Sequence, residues 1–408
     1  MNIWIFNQYI NLPEFPGGTR HIDIAKELTK QGHNIHLFAS GFNYVLHKEI
    51  ILKDGQKSIN QKIDNIEIHW LRVLSYKKNN IKRFLSMFSF YRALRQETRK
   101  IKKENGFVKP DIIIGSSVHL FSVLAAQKIA KNLNSRFVME VRDLWPFTLI
   151  ALRSMSKYHP LIILFAWLER YLYKKAEKII VLPEKAGEYI SKYTDESKIV
   201  WIPNSFPIDR LKDIKYEKTK NTKFTIIYAG AIGVPNDVIT LVKAFQLLKE
   251  NKDIQLIIIG DGVEKENIKK YVKENELSQI KLLDAIAKNE VLNFLQMADI
   301  LWAGMIDSEL YKLGFSFNKL YDYMAVSKPI ILSAPNKNNF INESNCGWVV
   351  ESENPEVLSE KILESKNMTE NERLQLGKNG FNFLINNFTT KLITDKLLKE
   401  VLIPINKK

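Results

Sequence analysis

The sequence predicts an α/β protein built from two doubly wound halves, and three observations carry that reading. Short apolar runs alternate with amphipathic helical stretches along the whole chain. The runs are continuously apolar, as in parallel strands covered by helices on both faces. The alternation stops once, over a polar, Lys-rich stretch at 206–223, and then begins again.

Each element follows from its residues. MNIWIFNQYI is the first strand, and LPEFPGGTRHIDIAKELTKQGH, 12–33, is a glycine turn leading into a helix. In that helix Ile22, Ile24, Ala25 and Leu28 form the apolar stripe, Thr19 is placed to cap the start, and Gly32 stops it. Two glycines between a strand and a helix expose backbone N–H groups beside the positive helix end, which suits an anion. IHLFAS (35–40) and IEIHWLRV (66–73) read as strands, and 81–103 as a basic amphipathic helix. PDIIIGSSVHLFSVLAAQKIAK, 110–131, is a buried strand, a small-residue turn and a helix. RFVMEVRDLWPF, 136–147, is a strand ending in a polar-aromatic loop, and AEKIIVLP (176–183) and KIVWIPNS (198–205) are two more strands. The second half repeats the theme with strands in FTIIYAGAIG, IQLIIIGDG, IKLLDAI, ADILWAGM, KPIILSA and GWVVE. The expected division is a first domain at 1–205, a linker at 206–223, a second domain at 224–385 and a C-terminal helix at 386–408. In open sheets of this kind ligands bind at the carboxyl ends of the strands.

At 408 residues, with 45% hydrophobic side chains, the chain exceeds one ordinary core. Lys and Arg number 60 against 45 Asp and Glu, a net charge of +15, which favours phosphates, anionic lipid or nucleic acid as partners. The single cysteine, Cys346, excludes an internal disulfide or a cysteine-rich zinc cluster and suits a reducing compartment. The first residues lack a signal-peptide pattern, and no apolar run approaches the ~20 residues of a spanning helix. A cytoplasmic protein is expected.

Seven motifs in register, PGGTR with ELTKQGH, SSVHLF, EVRDLWP, IPNS, YAG, IGDG and FNKLYDYMAVSKPII, resemble the GT-B glycosyltransferases of family 4, especially those of bacterial surface-polysaccharide assembly. The resemblance covers residues 1 to about 385. It implies two Rossmann-like domains facing a cleft, a nucleotide-sugar donor held mainly by the second and an acceptor by the first, with retention at the anomeric carbon. It also implies a C-terminal helix that crosses back onto the first domain.

On that reading Gly17 and Gly18 approach the donor diphosphate, and Arg20 assists acceptor or phosphate. His119, just past its strand, is expected at the cleft as a neutral hydrogen-bonding partner of the transferring sugar. His33, His36 and His69 have no comparable setting. Asp143 is a candidate to orient or deprotonate the acceptor, and Arg142 an acceptor or phosphate ligand, while Glu140 and Arg142 read as an internal ion pair. Asp322 is expected to bind the ribose hydroxyls. Ser316, Asn318 and Lys319, at a helix start, are expected to hold the diphosphate, with Gly230, Gly260 and Gly262 closing strand ends beside it.

Two departures from the family stand out. Gly314 occupies the place of a common glutamate, and AIGVPNDV, 231–238, lacks the usual Arg and Lys. Lys319, Lys312 and backbone amides would then carry more of the phosphate charge. No DxD metal signature appears, so transfer without metal or other cofactor is expected, with UDP as the first candidate nucleotide. The helix 81–103 and the stretch 152–175 mix aromatic, apolar and cationic residues, as an anionic membrane surface or a lipid-linked acceptor requires. The rival readings are a nucleotide-sugar epimerase and a nucleic-acid-binding protein, the latter weakened by basic residues spread along the chain.

Overall fold

A computed structural model describes residues 1–76, 81–153, 155–214, 222–336 and 339–403. Part of the expected linker, 215–221, and the end of the expected C-terminal helix, 404–408, lie outside the described residues. The chain forms two compact units, one of Met1–Leu12, Gly18–Pro203 and Thr390–Lys408, the other of Pro13–Gly17 and Asn204–Thr389.

In the first unit the strands are β1 (Asn2–Phe6), β2 (Asn34–Ser40), β3 (Phe42–Asn43), β4 (Lys48–Glu49), β5 (Ser58–Ile63), β6 (Ile66–Leu71), β7 (Ile112–Ser117), β8 (Arg136–Val141), β9 (Lys178–Val181) and β10 (Ile199–Trp201). Eight of them make one sheet in the order β10-β9-β8-β7-β1-β2-β6-β5, and β3 pairs with β4 as a separate ribbon. All neighbours in the large sheet run parallel except β5 against β6. The central strands are apolar because helices cover both faces: β1 and β7 are buried along their whole length.

β5 and the β3/β4 ribbon carry no such signal. SINQKI is mostly exposed, and its single partner strand holds it at the sheet edge. The expected C-terminal helix, 386–408, is divided. A helix ends at Asn387, a new one begins at Thr390, and a π-helical turn follows over Leu398–Leu402. In the first unit this last segment is anchored by Arg136, whose guanidinium donates to the carbonyls of Val401 and Leu402.

The second unit holds β11 (Phe224–Ala229), β12 (Ile254–Ile259), β13 (Ile280–Leu283), β14 (Ile300–Gly304), β15 (Ile330–Ser333) and β16 (Gly347–Val350), all parallel, in the order β13-β12-β11-β14-β15-β16. Its core includes Ile226, Tyr228, Phe245, Leu256, Ile258 and Trp302. The order changes direction between β11 and β14, the switch point at which such sheets bind ligands.

Candidate active site

Within the first unit the carboxyl ends of β1, β7 and β8 gather the polar residues. The helix Arg20–Lys30 lacks a side-chain cap, because the Thr19 hydroxyl donates to Asp23 at 2.7 Å instead. The expectation of a Thr19 cap is corrected, and the first-turn N–H groups gain no side-chain acceptor from it.

Glu140 is buried and engaged on every side. It accepts from Arg20 Nε at 3.0 Å and from Ser116 Oγ at 2.6 Å, and lies 2.8 Å from His21 Nε2. Burial raises its carboxyl, but His21, Arg20 and Arg142 outweigh that and hold it well below the usual range. The ion pair read between Glu140 and Arg142 is therefore replaced by one with Arg20. Arg20 also donates to the carbonyls of Ile202 and Pro203, so its guanidinium ties the helix to the chain after β10. Its expected role as a phosphate or acceptor ligand gives way to a structural one, because carboxylate and carbonyls within its own unit already match its fork of donors.

His119 is likewise turned inward, only 1% exposed. Its Nδ1 accepts from the backbone N–H of Ser122, capping the helix Leu120–Leu133, so Nε2 carries the proton and donates to Gln8 Oε1 at 2.8 Å. Gln8 passes the chain on to Ser86. Burial and the nearby Arg83 push the imidazole down to about 3, so it is neutral. Neutrality agrees with the sequence reading; the open position facing a sugar does not.

The groups left available are the neighbours. Among the described residues, neither the Arg142 guanidinium nor the Asp143 carboxylate has a hydrogen-bond or ion-pair partner. Asp143 is exposed, and Trp145–Pro146 beyond it is a cis peptide. Arg83 acts electrostatically on Asp143, His119, Tyr9 and Tyr76. Burial pushes the hydroxyls of Tyr9, Tyr44 and Tyr76 up. The tyrosines went unmarked in the sequence, and Arg83 was read only as a cation of the basic helix 81–103, because the four are scattered between 9 and 83. Only the fold collects them.

In the second unit the focus is Lys319. It stands in the first turn of the helix Asn318–Ala325, whose N-cap, Phe317, gives no side-chain hydrogen bond. Lys319 Nζ donates to Tyr228 Oη at 3.0 Å and Asn236 Oδ1 at 2.8 Å, and lies 4.4 Å from the centre of the Tyr228 ring. No carboxylate pairs with it among the described residues, and burial pushes its ammonium down to about 7. Gly230 makes room for it, since a Cβ there would come 3.0 Å from Lys319 Cε. The lysine thus stands beside a helix start that no side chain caps.

The other expected ligands serve the framework. Gly260 is needed because a Cβ would sit 1.9 Å from the Gly230 carbonyl oxygen, and Gly262 because one would sit 2.2 Å from that of Ile232. Ser316 Oγ accepts from the Asn204 amide, and Asn318 opens the helix. Asp322, expected to face the ribose, is 4% exposed with one oxygen taken by Arg210 at 2.8 Å and the other by Lys288. Burial raises its carboxyl, yet Lys288 and Arg210 bring it below its ordinary value. Arg210 comes from the segment read as linker, whose lack of periodicity hid it. Gly17, at φ 136°, needs a residue without Cβ, and the division between the units passes between it and Gly18.

Residues 17–210 match the family model described as Glycosyltransferase Family 4, and residues 209–383 match Glycosyl transferases group 1. The chain belongs to the family 4 glycosyltransferases. It is 21% identical to a probable glycosyltransferase, WbjE of Pseudomonas aeruginosa, over 62% of this chain and 66% of that protein. An uncharacterized glycosyltransferase of Haemophilus influenzae is 25% identical over 63% of this chain and 62% of its own length. The chain thus spans just under two thirds of these relatives. Among solved structures it is similar to a sucrose-phosphate synthase from Thermosynechococcus elongatus, with a TM-score of 0.76, 15% identity and coverage of 98% of this chain and 97% of the other. HepE of Anabaena, in complex with UDP and glucose, gives 0.70 at 12% identity, covering 98% and 99%. At such identities the likeness is one of fold, and the family 4 chain has the GT-B fold.

Proposed function

We propose that the protein transfers a sugar from a nucleotide diphosphate, with UDP the first candidate, to a lipid-linked or saccharide acceptor in bacterial surface-polysaccharide assembly. The observation that carries this is Lys319, which has no carboxylate partner among the described residues and stands beside a helix N-terminus at the switch point of its sheet. Its ammonium and the positive end of that helix would take the charge that develops on the departing diphosphate. Asp143, exposed and with no hydrogen-bond or ion-pair partner for its carboxylate among the described residues, would take the acceptor's proton, and Arg142 would hold an acceptor phosphate. His119 would act by fixing Gln8. Retention of anomeric configuration and transfer without metal follow from the family and remain part of the proposal.

A place at the cytoplasmic membrane surface belongs to the same reading. Ile81, Leu85 and Phe88 are exposed along one side of the helix Ile81–Ile101, and Ile163, Leu164 and Trp167 along the helix Pro160–Lys175. The helices touch through Phe84 and Phe165, with ring centres 5.8 Å apart. Arg92, Arg95, Arg170 and Lys174 stand on the same helices, so the apolar rows are bordered by positive charge, which matches an anionic bilayer. No helix among the described residues is long and apolar enough to cross one.

The test is calorimetric binding of UDP-, GDP- and dTDP-sugars, first without metal and then with magnesium. Saturable binding of one series, followed by release of nucleotide only when a lipid-linked acceptor is added, supports the proposal. Donor turnover without any acceptor would favour the epimerase reading, and no binding across the panel would remove Lys319 from the diphosphate role.

A further inference from the structure

A second constellation lies in the first unit, toward the amino ends of its strands and apart from the residues assigned above. Parallel pairing sets His36 of β2 opposite Glu67 of β6, and Phe38 opposite His69. Antiparallel pairing sets Asn60 of β5 opposite His69. With a side-chain period of two, His36, Glu67, His69 and Asn60 all project from one face of the sheet.

The ligand atoms converge. His36 Nδ1 is 3.2 Å from His69 Nε2 and 3.3 Å from Glu67 Oε2, and all three atoms lie within 4.8 Å of one another. Donors bound tetrahedrally to zinc at 2.0–2.1 Å are separated by roughly 3.3–3.4 Å. The ring centres of the two histidines, 5.5 Å apart, also fall close to the roughly 5 Å of two imidazoles sharing such an ion.

The outer contacts orient the same atoms. His69 Nδ1 lies 2.9 Å from Asn60 Oδ1, an amide oxygen that can only accept, so Nδ1 holds the proton and the Nε2 lone pair points toward His36. Phe38 stacks on the His69 ring at 4.3 Å and Trp4 packs against His36 at 5.8 Å, holding both imidazoles in place. The three ligands grade outward: His69 is buried, the His36 side chain is 15% exposed and that of Glu67 51% exposed. An ion would enter from the Glu67 side, and solvent would supply the fourth ligand.

We propose that His36, Glu67 and His69 form a binding site for a zinc-class divalent cation. Two imidazoles and a carboxylate suit zinc, cobalt or nickel and exclude the all-oxygen preference of magnesium and calcium. The ion would clamp β6, and with it the edge strand β5, onto β2. It would be structural, since Gln8, Arg142 and Asp143 stand past the carboxyl ends of other strands, β1 and β8.

Cobalt chloride titrated into chelator-treated full-length protein, followed by visible absorption, tests this, with zinc calorimetry alongside. One equivalent with the intense bands of a four-coordinate ion, displaced by zinc, is expected. His36→Ala and Glu67→Gln change the two ligands nearer the surface and should fold; loss of affinity by at least about tenfold in His36→Ala, as for disturbed metal sites, supports the assignment. A rise in Tm with zinc should vanish in the same variant. Absence of saturable binding would overturn the proposal. So would equal affinity in wild type and both variants, particularly if His33→Ala abolished it, since His33 Nδ1 lies 3.2 Å from the N-terminal amine and offers a competing pair of donors.

Discussion

Lys319 makes a prediction that can be read in protons. With its ammonium near 7, about half of the protein carries the charge at pH 7, against about nine-tenths at pH 6 and a tenth at pH 8. A bound diphosphate would restore the charge fully. Binding a UDP-sugar, whose diphosphate diester does not titrate in this range, should therefore take up about 0.5 proton at pH 7 and about 0.9 at pH 8. Affinity should fall about tenfold between pH 6 and pH 8. Calorimetry in buffers of different ionisation enthalpy measures the uptake directly, and Lys319→Met should abolish both the uptake and the pH dependence. The ligand-free protein supplies a sign check. The folded value lies below the unfolded 10.5, so the unfolded chain binds more protons between about pH 7 and pH 10. Stability should rise with pH across that window in wild type and rise less in Lys319→Met. An observed enthalpy that is the same in every buffer would refute the assignment of Lys319 to the diphosphate.

Asp322→Asn should leave Arg210 and Lys288 without their shared carboxylate and cost about 3–5 kcal/mol in denaturant unfolding. The wild-type contribution is present above the unfolded value near 3.8 and is lost as pH falls through the lower folded value, so the variant should lose less on acidification. Gly260→Ala should destabilise the second unit more than Gly187→Ala does the first, because the former puts a Cβ 1.9 Å from a carbonyl oxygen while the latter meets only an Ile199 methyl at 3.5 Å; equal midpoints in urea would contradict this. Asp143→Asn should lower kcat while leaving nucleotide affinity within about twofold, within which a shift is under about 0.5 kcal/mol; unchanged turnover would dismiss it as the base. Replacing Ile163, Leu164 and Trp167 together by serine should reduce partition onto anionic vesicles while sparing the Tm, and unaltered partition would sink the membrane proposal.

The repeating α/β pattern was legible because burial on both sheet faces forces long apolar runs, as in IIIG of β7 or IQLIII of β12. β5 escaped because an exposed edge strand needs no apolar residues. The site was legible only in part. Lys319 was marked by its helix start, and Asp143 by its place after a strand. Local sequence does not say where a side chain's partner comes from. Arg20 finds Glu140 from 120 positions away, and Asp322 finds Arg210 across 112. Charges that looked ready for a ligand had therefore already been matched by the fold. His36 and His69 were passed over for the same reason, since strand pairing, not sequence spacing, brings them together.

The first unit is assembled from pieces at both ends of the chain, with nearly all of the second inserted between them. During synthesis the insert is complete once residue 389 has emerged, while its host still lacks Thr390 onward, including the carbonyls of Val401 and Leu402 that Arg136 grips. At about 5–20 residues per second, the roughly 190 residues between Pro203 and Thr390 keep that host incomplete for about 10–40 seconds. The half begun first therefore closes last, when Arg136 meets the carbonyls of Val401 and Leu402.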